Sequence, residues 1–249
     1  MKSLLAIIDW GIGGIGINKL VKSELGNLPV IYFSDTGATP YGVMSRDELV
    51  SRVNKVITFL RSQGVSHVVV GCNAASTVIP FVNVDGMKIE GVIESAIRLT
   101  ASMRPDRLAL LGGRRTIMSG IYRRAFEDMG IHVTQRIAQP LSALIEAGDV
   151  SSSELREQCR RILRPVNNCS HLLLACTHYP AIMPVLREFV SDKTVLINPV
   201  GELIKRIKSW RLPTIGTDTF ITTGEPEKMK MAAWNAFGFR ITTAKRVDL

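Results

Sequence analysis

Short apolar runs alternate along the chain with longer segments whose apolar positions recur at helical spacing. Leu4–Ile8, Val30–Phe33, Val68–Val70, Leu108–Leu111, Leu172–Leu174 and Thr194–Ile197 are strand-sized, and their lack of polar alternation is what strands covered on both faces require. Between the second and third runs, Leu49, Val53, Val56, Ile57 and Leu60 predict an amphipathic helix over Ser45–Arg61. Ser45 followed by Glu48 supplies its capping box. Thr222-Thr223-Gly224 predicts a loop, and Glu225–Phe237 a final helix. This alternation is that of an α/β protein with mainly parallel sheets.

The pattern also contains an echo. Ser66-His67-Val68-Val69-Val70-Gly71-Cys72 is matched in kind by Ser170-His171-Leu172-Leu173-Leu174-Ala175-Cys176. Each copy is a buried strand that runs into a small residue, a cysteine and then polar residues. The echo predicts two pseudo-symmetric α/β domains with a crevice between them. Thr100–Asp106 and Trp210–Pro213 are the expected crossings, so residues 1–99 with 210–249 form one domain and 100–209 the other. Open α/β sheets bind ligands beyond the carboxyl ends of their strands, where both cysteines fall. His67 and His171 are expected before the strands, in structural or exposed roles.

Composition narrows the function classes. With 249 residues and 46% apolar content the chain can bury a substantial core. No apolar run approaches the roughly 20 residues of a membrane span, and Asp9 interrupts the apolar start before a signal-peptide core could form. A cytoplasmic protein without membrane contact is expected. The net charge of +9 is spread over many segments without interleaved aromatics, which argues against nucleic acid and suits a solvated surface or a small anionic substrate. Four cysteines without a Cys-x-x-Cys spacing predict free thiols and no metal site.

Two motifs compete for the chemistry. Gly11-Ile12-Gly13-Gly14-Ile15-Gly16 follows a strand, opens a helix and is trailed by Asp35, the outline of a dinucleotide fingerprint and hence of an NAD(P)-dependent oxidoreductase. The same loop would serve any small ligand carrying a carboxylate, with Asp9 as an active-site acid. Asp35-Thr36-Gly37-Ala38-Thr39-Pro40-Tyr41-Gly42 forms a second such loop, whose Tyr41 hydroxyl and backbone amides could hold a carboxylate. The other motif is the cysteine pair. A lone cysteine after a strand is ordinarily inert core. Two in equivalent places, with Asp9 and His178 as candidate proton partners, point to paired acid/base thiols. Glu146 ends a helical segment, where a solvated charge is the plainer reading, and neither Cys159 nor Cys169 is expected to react.

These residues resemble the glutamate racemases of the aspartate/glutamate racemase superfamily. The likeness runs through Asp9-Trp10-Gly11-Ile12-Gly13-Gly14, Asp35-Thr36, Pro40-Tyr41-Gly42, Cys72-Asn73-Ala74-Ala75-Ser76, Gly91-Val92-Ile93-Glu94, Thr116, Glu146, Cys176-Thr177-His178-Tyr179-Pro180 and Thr222-Thr223-Gly224, in family order. It implies an enzyme without metal or cofactor that inverts the α-carbon of an acidic amino acid, most directly L-glutamate to D-glutamate for peptidoglycan. Cys72 and Cys176 would be the opposed thiols, Asp9 assisting the first, Glu146 and His178 the second. Trp10, Pro40, Tyr41, Gly42, Asn73, Ala74, Thr116 and Thr177 would contact the amino-acid substrate. A homodimer is left open. Trp10 stands where the family usually has serine, Ala74 where it has threonine and Asn198 where aspartate is common. The first two remove substrate-bonding hydroxyls, which admits a racemase or decarboxylase of the same fold for another substrate.

Overall fold

The computed structural model describes residues 4–249; Met1–Ser3, which open the N-terminal apolar patch, lie outside the described residues. The strands in chain order are β1 (Leu4–Asp9), β2 (Val30–Ser34), β3 (Val65–Val70), β4 (Lys88–Gly91), β5 (Leu108–Gly112), β6 (Val133–Ile137), β7 (His171–Ala175), β8 (Val195–Ile197), β9 (Thr219–Thr222) and β10 (Lys245–Arg246). They form a sheet ordered β10-β9-β2-β1-β3-β4 and a sheet ordered β6-β5-β7-β8. Every pairing is parallel. Parallel neighbours demand crossovers, and the helical segments between the apolar runs supply them.

The two sheets repeat one plan. β2-β1-β3-β4 and β6-β5-β7-β8 have the same order, so β3 and β7, the strands of the sequence echo, occupy equivalent places. Residues Leu5–Asp9 of β1 and Leu172–Ala175 of β7 are buried, as strands covered on both faces must be. The largest buried cluster joins both sheets: Leu5 and Ile7 of β1, Leu108 and Leu110 of β5, and Leu173 of β7 share it with Leu203 and Ile207 of the helix Val200–Ser209. That shared core fixes the two halves against each other.

The expected helix at Ser45 spans Arg46–Ser62, with Leu49, Val53, Val56, Ile57 and Leu60 buried. Its capping box is complete: Glu48 N donates to Ser45 Oγ at 3.3 Å and Ser45 N to Glu48 Oε2 at 2.8 Å, an N-terminal cap worth about 1 kcal/mol. The final helix is Pro226–Phe237. Three local expectations are corrected. His67 lies inside β3, its ring tilted against that of Trp210 with centroids 5.2 Å apart, and His171 opens β7. Thr222 ends β9 and is not loop, because β2 and β10 both pair with it.

Candidate active site

β1, β3, β5 and β7 release their chains toward one cavity of about 240 Å³ between the halves. Asp9, Cys72, Glu146, Cys176 and His178 all line it, with Trp10, Pro40, Tyr41, Gly42, Asn73, Ala74, Thr116 and Thr177. Gly113, Gln139, Ser142 and Ala143, which belong to no motif of the sequence, complete much of the remaining wall.

Asp9 ends β1 with a carboxylate only 1% exposed. Trp10 N donates to its Oδ1 at 2.7 Å and Gly14 N to its Oδ2 at 2.6 Å. Burial pushes its pKa up, against the pull of His178. Gly71 N donates to Ile8 O at 2.8 Å, which holds the exit of β3 beside that of β1 and brings Cys72 against Asp9. Burial first and the Asp9 charge second push the Cys72 thiol well above its ordinary pKa.

Cys176 has a different environment. Its Sγ lies 3.6 Å from His178 Nδ1 and 3.5 Å from Ser142 Oγ. On the other side of the ring, His178 Nε2 lies 2.7 Å from Glu146 Oε2, which also accepts Ile12 N at 2.9 Å. Burial pulls the His178 pKa down, but the hydrogen bonds and charges of Cys176 and Glu146 outweigh it and hold the pKa well above the ordinary value. These contacts favour the protonated imidazole. Tyr179, whose hydroxyl donates to Ala138 O at 3.0 Å and receives Ser142 Oγ at 3.3 Å, braces the serine.

The glycine loop is built for this contact. A Cβ on Gly11 would collide with the Glu146 carboxylate; on Gly13 it would lie 2.5 Å from Thr177 Oγ1 and 2.7 Å from His178 Nδ1. The glycines thus admit side chains of the other half. Amides that a pyrophosphate would need are already bonded to Asp9 and Glu146. Asp35, the expected ribose partner, is fully buried and accepts Arg52 Nη2 at 2.5 Å, Arg52 Nε and Tyr41 Oη at 2.7 Å, and Thr223 Oγ1 at 2.8 Å. No acceptor capacity remains for a ribose, and the cavity is below the roughly 300–1,000 Å³ of sites for larger ligands. The dinucleotide reading is therefore corrected: this is a loop for carboxylates.

Two expected contacts are refined. The Tyr41 hydroxyl is committed to Asp35, which leaves its ring and backbone for the cavity wall. Trp10 does not swing away: its Nε1 donates to Ala38 O at 3.0 Å, and its indole forms part of that wall. Asn73 Oδ1 accepts the Tyr122 hydroxyl at 2.8 Å, which leaves its amide nitrogen as the free donor. Cys159 is buried with its pKa pushed up to about 12, and Cys169 is buried just ahead of β7, at the opposite end of that strand from Cys176. All four thiols are free. Among the described residues, no group of three or more His, Cys, Asp or Glu side chains is placed to hold a metal, and no helix is long and apolar enough to cross a membrane.

Residues 16–207 match the family model of Asp/Glu/hydantoin racemases. The chain belongs to that family. Among family members, it is 31% identical over 214 residues to the glutamate racemase of Desulforudis audaxviator, covering 82% of this chain and 77% of that protein. It is 29% identical to the glutamate racemase of Gloeobacter violaceus, covering 93% and 91%. In structure it superposes on the glutamate racemase of Thermus thermophilus in complex with β-chloro-D-alanine, with a TM-score of 0.86, 25% identity and coverage of 100% and 98%. The Francisella tularensis glutamate racemase in complex with D-glutamate shares the fold, with a TM-score of 0.89, 24% identity and coverage of 99% and 98%.

Proposed function

We propose that this enzyme racemises an acidic amino acid, glutamate before others, through Cys72 and Cys176 acting on opposite faces of the α-carbon. The observation that carries the reading is that two thiols from equivalent strand ends line one amino-acid-sized cavity, each with its own acid/base partner. The domains would be residues 1–99 with 210–249 and residues 100–209, one thiol from each. General acid/base work needs both groups close to the same carbon, and a crevice between fixed halves supplies that.

The two environments divide the labour. Cys72, pushed up by burial and by Asp9, rests as a thiol and can deliver a proton. Cys176 lies 3.6 Å from the His178 ring and is placed to exchange the α-proton on the opposite face. One thiolate takes the α-hydrogen as a proton, the electron pair passes into the substrate carboxylate, and the opposite thiol returns a proton to the other face. No net proton is gained or lost, and the roles of the thiols exchange for the other enantiomer. Asp9 serves Cys72; His178 and Glu146 serve Cys176. Asn73, Thr116, Thr177 and the Gly42 backbone would hold the substrate's polar groups, with Trp10, Pro40, Tyr41 and Ala74 shaping the wall. A cytoplasmic enzyme supplying D-glutamate to peptidoglycan is the corresponding cellular role.

The test is deuterium incorporation at the α-carbon in D₂O, followed by NMR across L- and D-amino acids. Exchange with inversion on glutamate, lost in Cys72→Ala and in Cys176→Ala, is expected. Substantial inversion surviving in either variant would rule out the two-thiol mechanism, and exchange confined to another amino acid would reassign the substrate.

A further inference from the structure

Resting on the racemase reading, we propose that Gln139 is the specificity-determining residue that grips the substrate's side-chain carboxylate. The helix Gln139–Glu146 lays Gln139, Ser142, Ala143 and Glu146 along the cavity, a stripe spaced i, i+3, i+4 and i+7. Its two ends have different neighbours. Glu146 meets His178 and the loop at Gly11, where the proton chemistry is placed. Seven residues earlier, about 10 Å along the axis, Gln139 meets Gly42 and Gly113: a Cβ would lie 2.9 Å from its Oε1 at the first and 3.0 Å at the second. Both glycines leave room for this one side chain.

The chemistry of the amide is fixed. Arg114 N donates to Gln139 Oε1 at 3.1 Å. A backbone N–H can meet only the oxygen, so the Nε2 end, beside Gly42 in the cavity wall, carries two donors and no acceptor. The Thr116 hydroxyl and the Gly42 amide are the other donors beside it, and the remaining side chains at that end add none. Ala74 carries none, Trp10 Nε1 is held by Ala38 O and the Tyr41 hydroxyl by Asp35, while no lysine or arginine lines the cavity. A carboxylate about three bonds beyond the reacting carbon would find its hydrogen bonds at Gln139, while Asn73 and Thr177, next to the two cysteines, hold the α-substituents.

Discrimination between glutamate and 2-aminobutyrate, which lacks the distal carboxylate, tests the proposal by α-deuterium exchange. In Gln139→Leu the kcat/KM ratio of the two substrates should fall about ten- to a hundredfold, the size of one hydrogen bond to a charged group, with the loss in the KM for glutamate. Gln139→Glu keeps the acceptor for Arg114 N but sets a charge against the substrate, and should lose at least as much. An unchanged ratio in both variants would overturn the assignment. If the wild type exchanges no amino acid, the racemase reading fails by itself, and calorimetric binding of glutarate then decides the role of Gln139. Weaker binding by Gln139→Glu supports it; equal binding removes it.

Discussion

Glu146 Oε2 stands 2.7 Å from His178 Nε2 although 32 residues separate them, and the same oxygen accepts Ile12 N from the other half of the molecule. One carboxylate oxygen thereby ties the imidazole that faces Cys176 to the glycine loop that carries Asp9.

Replacing Glu146 with glutamine keeps the shape and removes the charge. The folded pKa of His178 is raised, so the stabilisation from its cationic contacts is complete below its unfolded value of about 6.5 and lost as pH rises through the folded value. In Glu146→Gln the highest-titrating histidine resonance should move toward neutral pH, and turnover should fall about 10²- to 10⁴-fold. NMR titration with steady-state kinetics checks both; an unmoved titration would mean that Glu146 does not sustain the charge.

The thiols should differ in reactivity. Cys72 is pushed up by burial and Asp9, Cys159 to about 12 and Cys169 also upward, chiefly by burial. Cys176, half-buried in the cavity wall and 3.6 Å from His178 Nδ1, should be alkylated first by iodoacetamide at neutral pH. Peptide mass spectrometry over time gives the order. Faster labelling of Cys72 would reverse the resting roles assigned to the pair.

Arg52 is the only cation bonded to buried Asp35 among the described residues. Arg52→Met would leave a carboxylate uncompensated in the core, which costs about 3–5 kcal/mol. Because Asp35 also holds the Tyr41 hydroxyl, the cavity wall should loosen with it. Urea denaturation should show the midpoint falling accordingly, whereas a loss below about 1 kcal/mol would mean that water or the remaining donors compensate Asp35 once Arg52 is gone.

Much of this architecture was legible because central strands are uninterrupted apolar runs. β1, β2, β3, β5, β7 and β8 read directly, and the Cys72/Cys176 echo forecast two equivalent sheets. The unforeseen strands lack that signal. β4, β6 and β10 are sheet edges, where exposed positions such as Lys88, Thr134 and Lys245 break the apolar pattern. β9 is short and bounded by the two-residue β10. In the site, motif residues were visible but Gln139 and Ser142 were not, since glutamine and serine carry no chemistry that spacing alone reveals. Stepping back from Glu146 by one and two helical turns would have found them. The misleading Asp35 shows the limit of a motif: its spacing fits a ribose, but only the fold reveals that four hydrogen bonds already consume it.

Asp9 gives the last prediction, and its sign is opposite to that of most carboxylates. Burial raises its folded pKa above the ordinary 3.8, so the fold favours the neutral acid. That contribution is present below the unfolded pKa and is lost as pH rises through the folded one, so ionised Asp9 weighs against the native state at neutral pH. Asp9→Asn cannot ionise. It does lose the acceptor for Gly14 N, a pH-independent penalty of about 1–3 kcal/mol. The stability of the variant relative to wild type should therefore climb as pH rises from the ordinary carboxylate pKa of 3.8 toward neutral, while turnover falls about a hundredfold or more because Cys72 has lost its partner. Urea denaturation of both proteins across that range decides it. A relative stability that stays flat or declines would mean that the carboxylate is well solvated or compensated, and its role beside Cys72 would need another basis.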